Sequence, residues 1–250
     1  MILVFDIGNT RIKCGLFEKD KLKSLTNFTT IESISTFIKE NEFDNVCISS
    51  VSNKLTSQIT ELVKAKTKVE PLFLNYKSKT NIKINYDTPQ TLGMDRICSV
   101  EGALFLKGWE KLSGENEFIF TMDLGTATTI NILQSPNIFL GGSISPGIKL
   151  MFDSLNSNTA QLPSLTINSY DNVIGKSTAS SIASGVVNST IGLLDRMINQ
   201  LKSNYAAKEI HLFITGGNAE SILPFINYEY KFEPGLVLCG AYSLYKLNTI

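Results

Sequence analysis

The chain has 250 residues, 43% of them hydrophobic, with 23 basic and 23 acidic side chains. That is enough apolar sequence for one large or two small domains, and the balanced charge gives no electrostatic reason to bind nucleic acid or an anionic membrane. No run approaches the ~18 apolar residues of a membrane span. Residues 1–6 lack the basic start of a signal peptide, and four separated cysteines (Cys14, Cys47, Cys98, Cys239) with a single histidine argue against disulfides or a zinc site. A cytoplasmic protein with reduced thiols is expected.

Taken in order, residues 2–5 and 12–17 are apolar runs that read as two strands of a hairpin, and 22–28 as a third strand. A helix follows, with Thr29 and Glu32 at capping-box spacing and Ile34, Phe37 and Ile38 as its stripe. A buried strand at 46–51, a helix capped by Asn53 and a short strand at 72–74 complete a β-β-β-α-β-α-β order, which specifies an α/β layer with a mixed sheet. Residues 81–93 read as an ordered loop with strand-like Ile82 and Ile84, and a helix is predicted over 95–107. The polar stretch 108–117 marks the boundary between domains at 1–115 and 116–250.

The second half starts over. Strands are predicted at 118–123, 127–133 and 138–140, then a turn at Gly141-Gly142 and a helix beginning within 146–152. Residues 156–171 look like an exposed excursion. A long helix is predicted over 178–201, a strand over 211–215, a turn at Gly216-Gly217, a short helix from Ala219 and a last helix after Pro234-Gly235. The two halves thus share hairpin, strand and helix in the same order.

Each hairpin turn carries the same pattern, Asp-x-Gly followed by Asn or Thr: Asp6-Ile7-Gly8-Asn9-Thr10 in the first and Asp123-Leu124-Gly125-Thr126-Ala127 in the second. Glycine lets backbone N–H groups approach a phosphate, and a carboxylate beside it can hold a metal ion. Asp, Gly and Asn also favour an ordinary polar hairpin turn, so it is the second copy that points to a nucleotide. Lys13, on the returning strand, can reach a phosphate or lie on the surface. Asp95 and Arg96 follow Gly93 at a helix start, where they can be a cap and its solvated neighbour, or a base and an anion clamp.

The duplicated arrangement resembles the acetate and sugar kinase, Hsp70 and actin superfamily. Six motifs narrow the resemblance: Asp6 to Lys13, Gly93-Met94-Asp95-Arg96, Asp123 to Thr129, Gly141 to Gly147, Ile174 to Thr178 and Gly216-Gly217-Asn218. In this order and spacing, over essentially the whole chain, they resemble type III pantothenate kinases. The resemblance implies two actin-like (ribonuclease H-like) α/β domains with an interdomain cleft. It also implies ATP-dependent phosphorylation of pantothenate, the first step of coenzyme A synthesis, and a homodimer; the small residues of the long helix, Ala183, Gly185 and Gly192, make that helix the candidate seam.

By the same resemblance, Asp6, Ile7, Gly8, Asn9, Thr10, Arg11, Ile12, Lys13 and Thr126 contact ATP, with Asp6 a ligand for Mg²⁺. Asp95 is the general base. Tyr86, Gly93, Met94, Arg96 and Thr178 bind pantothenate, and Asp123 holds a monovalent cation, K⁺ or NH₄⁺. Thr178 is at the same time a common helix-cap residue, as is Ser177 beside it. One departure is Asn131, where many relatives carry Asp; the change removes a charge beside the expected cation. A sugar kinase of the superfamily would lack the Gly93-Met94-Asp95-Arg96 arrangement, and a regulator would be expected to have lost one of Asp6, Asp95, Arg96 or Asp123. His211 is given no catalytic role.

Overall fold

Alternating apolar residues fold the N-terminus into the predicted hairpin. In chain order the first elements are β1 (Ile2–Ile7), β2 (Ile12–Glu18), β3 (Lys21–Phe28), α1 (Ile31–Glu40), β4 (Asn45–Ser50), α2 (Asn53–Lys66), β5 (Leu72–Phe73), β6 (Lys83–Ile84) and α3 (Met94–Lys107). The rest are β7 (Glu117–Leu124), β8 (Ala127–Gln134), β9 (Ile138–Pro146), α4 (Ile148–Ser157), α5 (Thr178–Asn204), β10 (Glu209–Thr215), β11 (Tyr230–Phe232) and α6 (Leu236–Asn248). The computed structural model describes residues 1–8, 11–108, 112, 114–159 and 161–249. These group into two units: one of residues 1–113, 136–141 and 235–250, the other of 114–135 and 142–234. Among the described residues no helix is long and apolar enough to cross a membrane.

The first unit holds a sheet in the order β3-β2-β1-β4-β5. β1 runs antiparallel to β2 and parallel to β4. On one face Leu3, Phe5 and Ile7 of β1 join Ile12, Cys14 and Leu16 of β2 in a core completed by Ile34, Ile38, Ile59 and Val63 of α1 and α2. Burying each such side chain contributes roughly 1.5–3 kcal/mol. The α1 cap, Thr30 Oγ1 accepting from Ser33 N at 3.3 Å, is worth about 1 kcal/mol, so packing rather than capping holds this helix. The other face of the sheet meets α3 and α6. Phe17 stacks on Tyr242 with ring centres 4.3 Å apart, and Cys47 Sγ donates to Ala241 O.

α3 is buried on nearly every side, from Met94 and Arg96 through Leu104. It lies backbone to backbone against α6: a Cβ on Gly102 would fall 2.0 Å from Leu236 O, and one on Gly240 1.8 Å from Cys98 O. These two glycines allow the close crossing that fixes the helix bearing Asp95 and Arg96.

The second unit repeats the first. Its strand order, β11-β10-β7-β8-β9, is β5-β4-β1-β2-β3 with each number replaced by its counterpart. The central strand β7 again pairs antiparallel with the next strand, β8, and parallel with β10. The first residues of β9, which belong to the first unit, pair in parallel with β6 through Lys83↔Ile138 and Ile84↔Phe139. The long helix α5 begins with a capping box between Ser177 and Ser180 and buries Val187, Leu194, Ile198 and Leu201.

Several local expectations are corrected. The cap of α1 is Thr30, not Thr29, because Thr30 has the extended backbone and the bonded hydroxyl. Ser52 takes the cap position of α2, and Asn53 is its first helical residue. Gly141-Gly142 is not a turn: β9 runs unbroken through it. A Cβ on Gly142 would lie 1.7 Å from Ile130 O, so the glycine serves a close backbone approach within the sheet. Of the two cap candidates at the start of α5, Ser177 takes the position and Thr178 is the first helical residue.

Candidate active site

The Asp6 turn is closed by Gly8 N donating to Arg11 O at 3.1 Å, and Asp6 stands opposite Lys13 in the ladder. Strand alternation puts Ile7 and Ile12 into the core, so these two offer a ligand only their backbone. Asp6 and Lys13, both half-buried, project from the other face, the one covered by α3 and α6. Gly8 is half-buried and Arg11 exposed. Asn9 and Thr10 lie outside the described residues.

Gly93 is the N-cap of α3, and its carbonyl accepts from Arg96 N at 3.2 Å and Ile97 N at 3.3 Å. The Asp95 carboxylate folds back over this cap: a Cβ on Gly93 would sit 2.3 Å from Asp95 Oδ1. Asp95 thus lies at the positive end of the helix, where a carboxylate is stabilised. Burial raises the Cys98 thiol pKa one turn along, and Asp6 leads the charges that push the same way, Asp95 among them. One thiol on α3 therefore feels both carboxylates, Asp6 from β1 and Asp95 from the helix start. Met94 is buried in the core.

Arg96 is 5% exposed, and its guanidinium carbon lies 5.7 Å from the Tyr86 ring centre and 5.9 Å from that of Phe139. Nη1 donates to Tyr86 Oη at 3.4 Å. The two rings are 6.2 Å apart, so the cation rests against an aromatic pair, an arrangement worth about 1–2 kcal/mol when desolvated. Phe139 was legible in the sequence only as a strand residue. Its role as a platform arises because β6 and β9 pair across 55 residues of chain, with Asn85 N donating to Phe139 O at 3.0 Å.

In the second unit, Asp123 stands between Thr129 of β8 and Thr215 of β10 in the ladder. The turn after it is tied by Gly125 N to Ala127 O at 3.1 Å, and two distant segments join it. Gly147 N donates to Thr126 O at 3.0 Å; Asn218 donates from N to Leu124 O and from Nδ2 to Gly125 O, each at 3.0 Å. Gly216 has φ +103°, and a Cβ there would lie 2.6 Å from Asp123 Oδ1 and 2.5 Å from Leu124 N. The motifs at Asp123, Gly147 and Gly216 thus build one glycine-lined cradle around a half-buried carboxylate, with the Thr126 side chain exposed at its rim. A hard oxygen donor in such a cradle can ligate a cation. Asn131, fully buried, lies on the same face one pleat below and donates from Nδ2 to Thr121 Oγ1 at 3.3 Å.

Thr178 is exposed and lines a shallow depression of about 780 Å³ with Leu162, Lys176 and Ser181. Among the described residues, one group of three possible metal ligands clusters closely: Glu117, Glu209 and His211. His211 Nε2 lies 2.6 Å from Glu117 Oε1 and 3.3 Å from Glu209 Oε1, and Glu117 Oε2 accepts from Gly114 N at 2.9 Å. These residues sit at the first ends of β7 and β10, a strand's length from Asp123, where His211 and the Gly114 N–H satisfy the buried Glu117 carboxylate.

The family model for type III pantothenate kinases matches residues 2–200. A type III pantothenate kinase of Sulfurihydrogenibium sp. (strain YO3AOP1) is 32% identical over 260 residues, covering 98% of this chain and 100% of that one. Another, of Cytophaga hutchinsonii, is 32% identical over 250 residues, covering 100% of this chain and 98% of the relative. Among solved structures, a conserved Campylobacter jejuni protein described as a Baf family transcriptional activator superposes with a TM-score of 0.58 at 20% identity, covering 98% of both chains. A ROK family glucokinase from Streptomyces griseus in complex with glucose and AMPPNP gives 0.51 at 12% identity, covering 97% of this chain and 98% of that one. These two share the fold of this chain.

Proposed function

We infer the working of the site from the premise that the chain belongs to the type III pantothenate kinase family. The reaction moves the γ-phosphoryl group of ATP to the primary hydroxyl of pantothenate, giving ADP and 4'-phosphopantothenate. Asp95 accepts the hydroxyl proton as that oxygen bonds to phosphorus and the bond to the ADP oxygen breaks. Arg96 pairs with the pantothenate carboxylate at the far end of the substrate, and Tyr86, Gly93 and Met94 shape the pocket around it. The observation that carries this reading is the placement of Arg96: a buried guanidinium on an aromatic pair, adjacent in sequence to a carboxylate at a helix N-terminus.

Gly8 and its neighbours Asn9 and Thr10, with Arg11, Lys13 and the backbone of Ile7 and Ile12, are proposed to hold the ATP phosphates, and Thr126 a further part of ATP. Asp6 would hold Mg²⁺ and Asp123 the monovalent cation, K⁺ or NH₄⁺; each supplies positive charge near phosphate oxygens. Thr178 is proposed as a second pantothenate contact, beside Lys176. The two halves, 1–115 and 116–250, are proposed as related domains of a cytoplasmic enzyme, with residues 136–141 and 235–250 grouped with the first. A homodimer is proposed along α5, on the side where Gly185 and Gly192 leave open space and a groove of about 410 Å³ runs past Met151, Leu155 and Ile182.

The test is a coupled assay with ATP, Mg²⁺ and pantothenate, run in K⁺ and then in Na⁺ alone. Phosphopantothenate formation in K⁺ that falls at least tenfold in Na⁺ is expected. No product in K⁺ would overturn the reading.

A further inference from the structure

α3 carries a second buried charge, Glu101, five residues beyond Arg96 and 0% exposed. No step of the reaction uses it. Its Oε1 accepts the backbone N–H of Asn81 at 2.8 Å and its Oε2 accepts from Asn81 Nδ2 at 3.0 Å. The nearby Ile82 backbone also favours the charged carboxylate. Burial raises the pKa of this carboxyl above the ordinary range, against the pull of these donors. An apolar side chain would fill the same space at less cost in desolvation. What the carboxylate adds is a fixed place for Asn81.

Asn81 is gripped from its other side as well. Its carbonyl accepts from Asn137 Nδ2 at 2.9 Å, and the Asn137 carbonyl accepts from Lys83 N at 2.8 Å. β6 then pairs with Ile138 and Phe139, and Tyr86 follows directly, its ring against Phe139 and its hydroxyl accepting from Arg96. The strap of residues 81–86 is therefore tied to α3 at both ends, Asn81 to Glu101 and Tyr86 to Arg96.

We propose that Glu101 is a positioning residue for the substrate pocket: through Asn81 it fixes the strap that sets Tyr86 against Arg96, and so fixes where the guanidinium meets the substrate carboxylate. This rests on the reading of Arg96 as the partner of that carboxylate.

The test compares Asn81→Asp, Glu101→Gln and the double variant, with thermal unfolding confirming that each is folded at the assay temperature. Asn81→Asp sets two carboxylates face to face. The double variant restores an amide against a carboxylate with donor and acceptor exchanged. Asn81→Asp should raise the KM for pantothenate about tenfold, with kcat and the KM for ATP within about threefold, and the double variant should return it to within about threefold of the parent. Should Asn81→Asp fail to fold, Glu101→Gln decides, with an expected rise of about threefold in the same constant.

An unchanged pantothenate KM, a parallel rise in the KM for ATP, or no recovery in the double variant would overturn the role. Arg96→Lys in the same assay separates the two readings. If it leaves the pantothenate KM unchanged, the assignment of Arg96 fails and the role of Glu101 with it. If it raises that constant while the Asn81 and Glu101 variants do not, only the positioning role fails.

Discussion

Arg96 donates from Nη1 to Tyr86 Oη at 3.4 Å while its guanidinium carbon lies 5.7 Å from the same ring's centre. One tyrosine therefore meets the cation through both its ring and its hydroxyl, and Phe139 supports it from a second strand. A planar guanidinium fits this seat and can still form paired bonds to a carboxylate; an ammonium cannot do both.

Arg96→Lys is expected to raise the KM for pantothenate tenfold or more, equivalent to about 1.4 kcal/mol, and to leave the KM for ATP within about threefold. Tyr86→Phe removes one long hydrogen bond and keeps the ring, so its KM should rise less than about threefold. Steady-state kinetics with each substrate varied in turn checks both. A larger effect from Tyr86→Phe than from Arg96→Lys would contradict the assignment.

Gly216→Ala should be severe. The position has φ +103°, and the new methyl would overlap backbone atoms of Leu124 that cannot yield. Left-handed strain together with overpacking costs about 2–4 kcal/mol, which lowers the thermal midpoint by roughly 5–15 °C in a chain of this size. At Gly192 a methyl meets nothing within 4 Å in its own subunit, so Gly192→Ala should hold or raise the subunit's stability by about 0.5–1 kcal/mol through helix propensity, any loss arising at the proposed dimer seam.

Asn131→Asp tests the cation assignment. Asn131 is fully buried on the same sheet face as Asp123, two residues along, a separation of roughly 7 Å. A second carboxylate there should weaken the fold in buffers of large organic cations and be offset by K⁺. Thermal unfolding at constant ionic strength should show a K⁺-dependent rise in midpoint larger than the parent's, and activation should need several-fold less K⁺. Equal K⁺ dependence in both proteins would place the cation elsewhere.

Gly185→Glu tests the dimer seam. The position opens to space on α5, so a longer side chain does not disturb the subunit's own packing. Sedimentation equilibrium should show the parent as a dimer and the variant as monomer at micromolar concentration. A parent that sediments as a monomer would refute the seam.

Much of this was legible in the sequence, for physical reasons that differ from residue to residue. Asp6 and Asp123 announced their turns because each ends an apolar run and is followed two residues later by a glycine, a local signal. Asp95 and Arg96 were readable because a glycine, a carboxylate and a guanidinium fall together at a helix start. Phe139 and Glu101 were not. Their partners, Tyr86 and Asn81, are 53 and 20 residues away, joined through a two-residue strand too short to show any period. Gly141-Gly142 misled for a related reason: a glycine pair signals a turn locally, whereas at Gly142 a neighbouring strand's backbone leaves no room for a Cβ.

The most direct measurement of the central claim is the turnover of Asp95→Asn with saturating ATP, Mg²⁺, K⁺ and pantothenate, alongside binding of pantothenate and ATP to the same variant by calorimetry. The expected result is a fall in kcat of about 10²-fold or more with both substrates still bound, the scale of losing a general base. A variant that turns over at the parent's rate would contradict the assignment of Asp95 as the group that takes the proton.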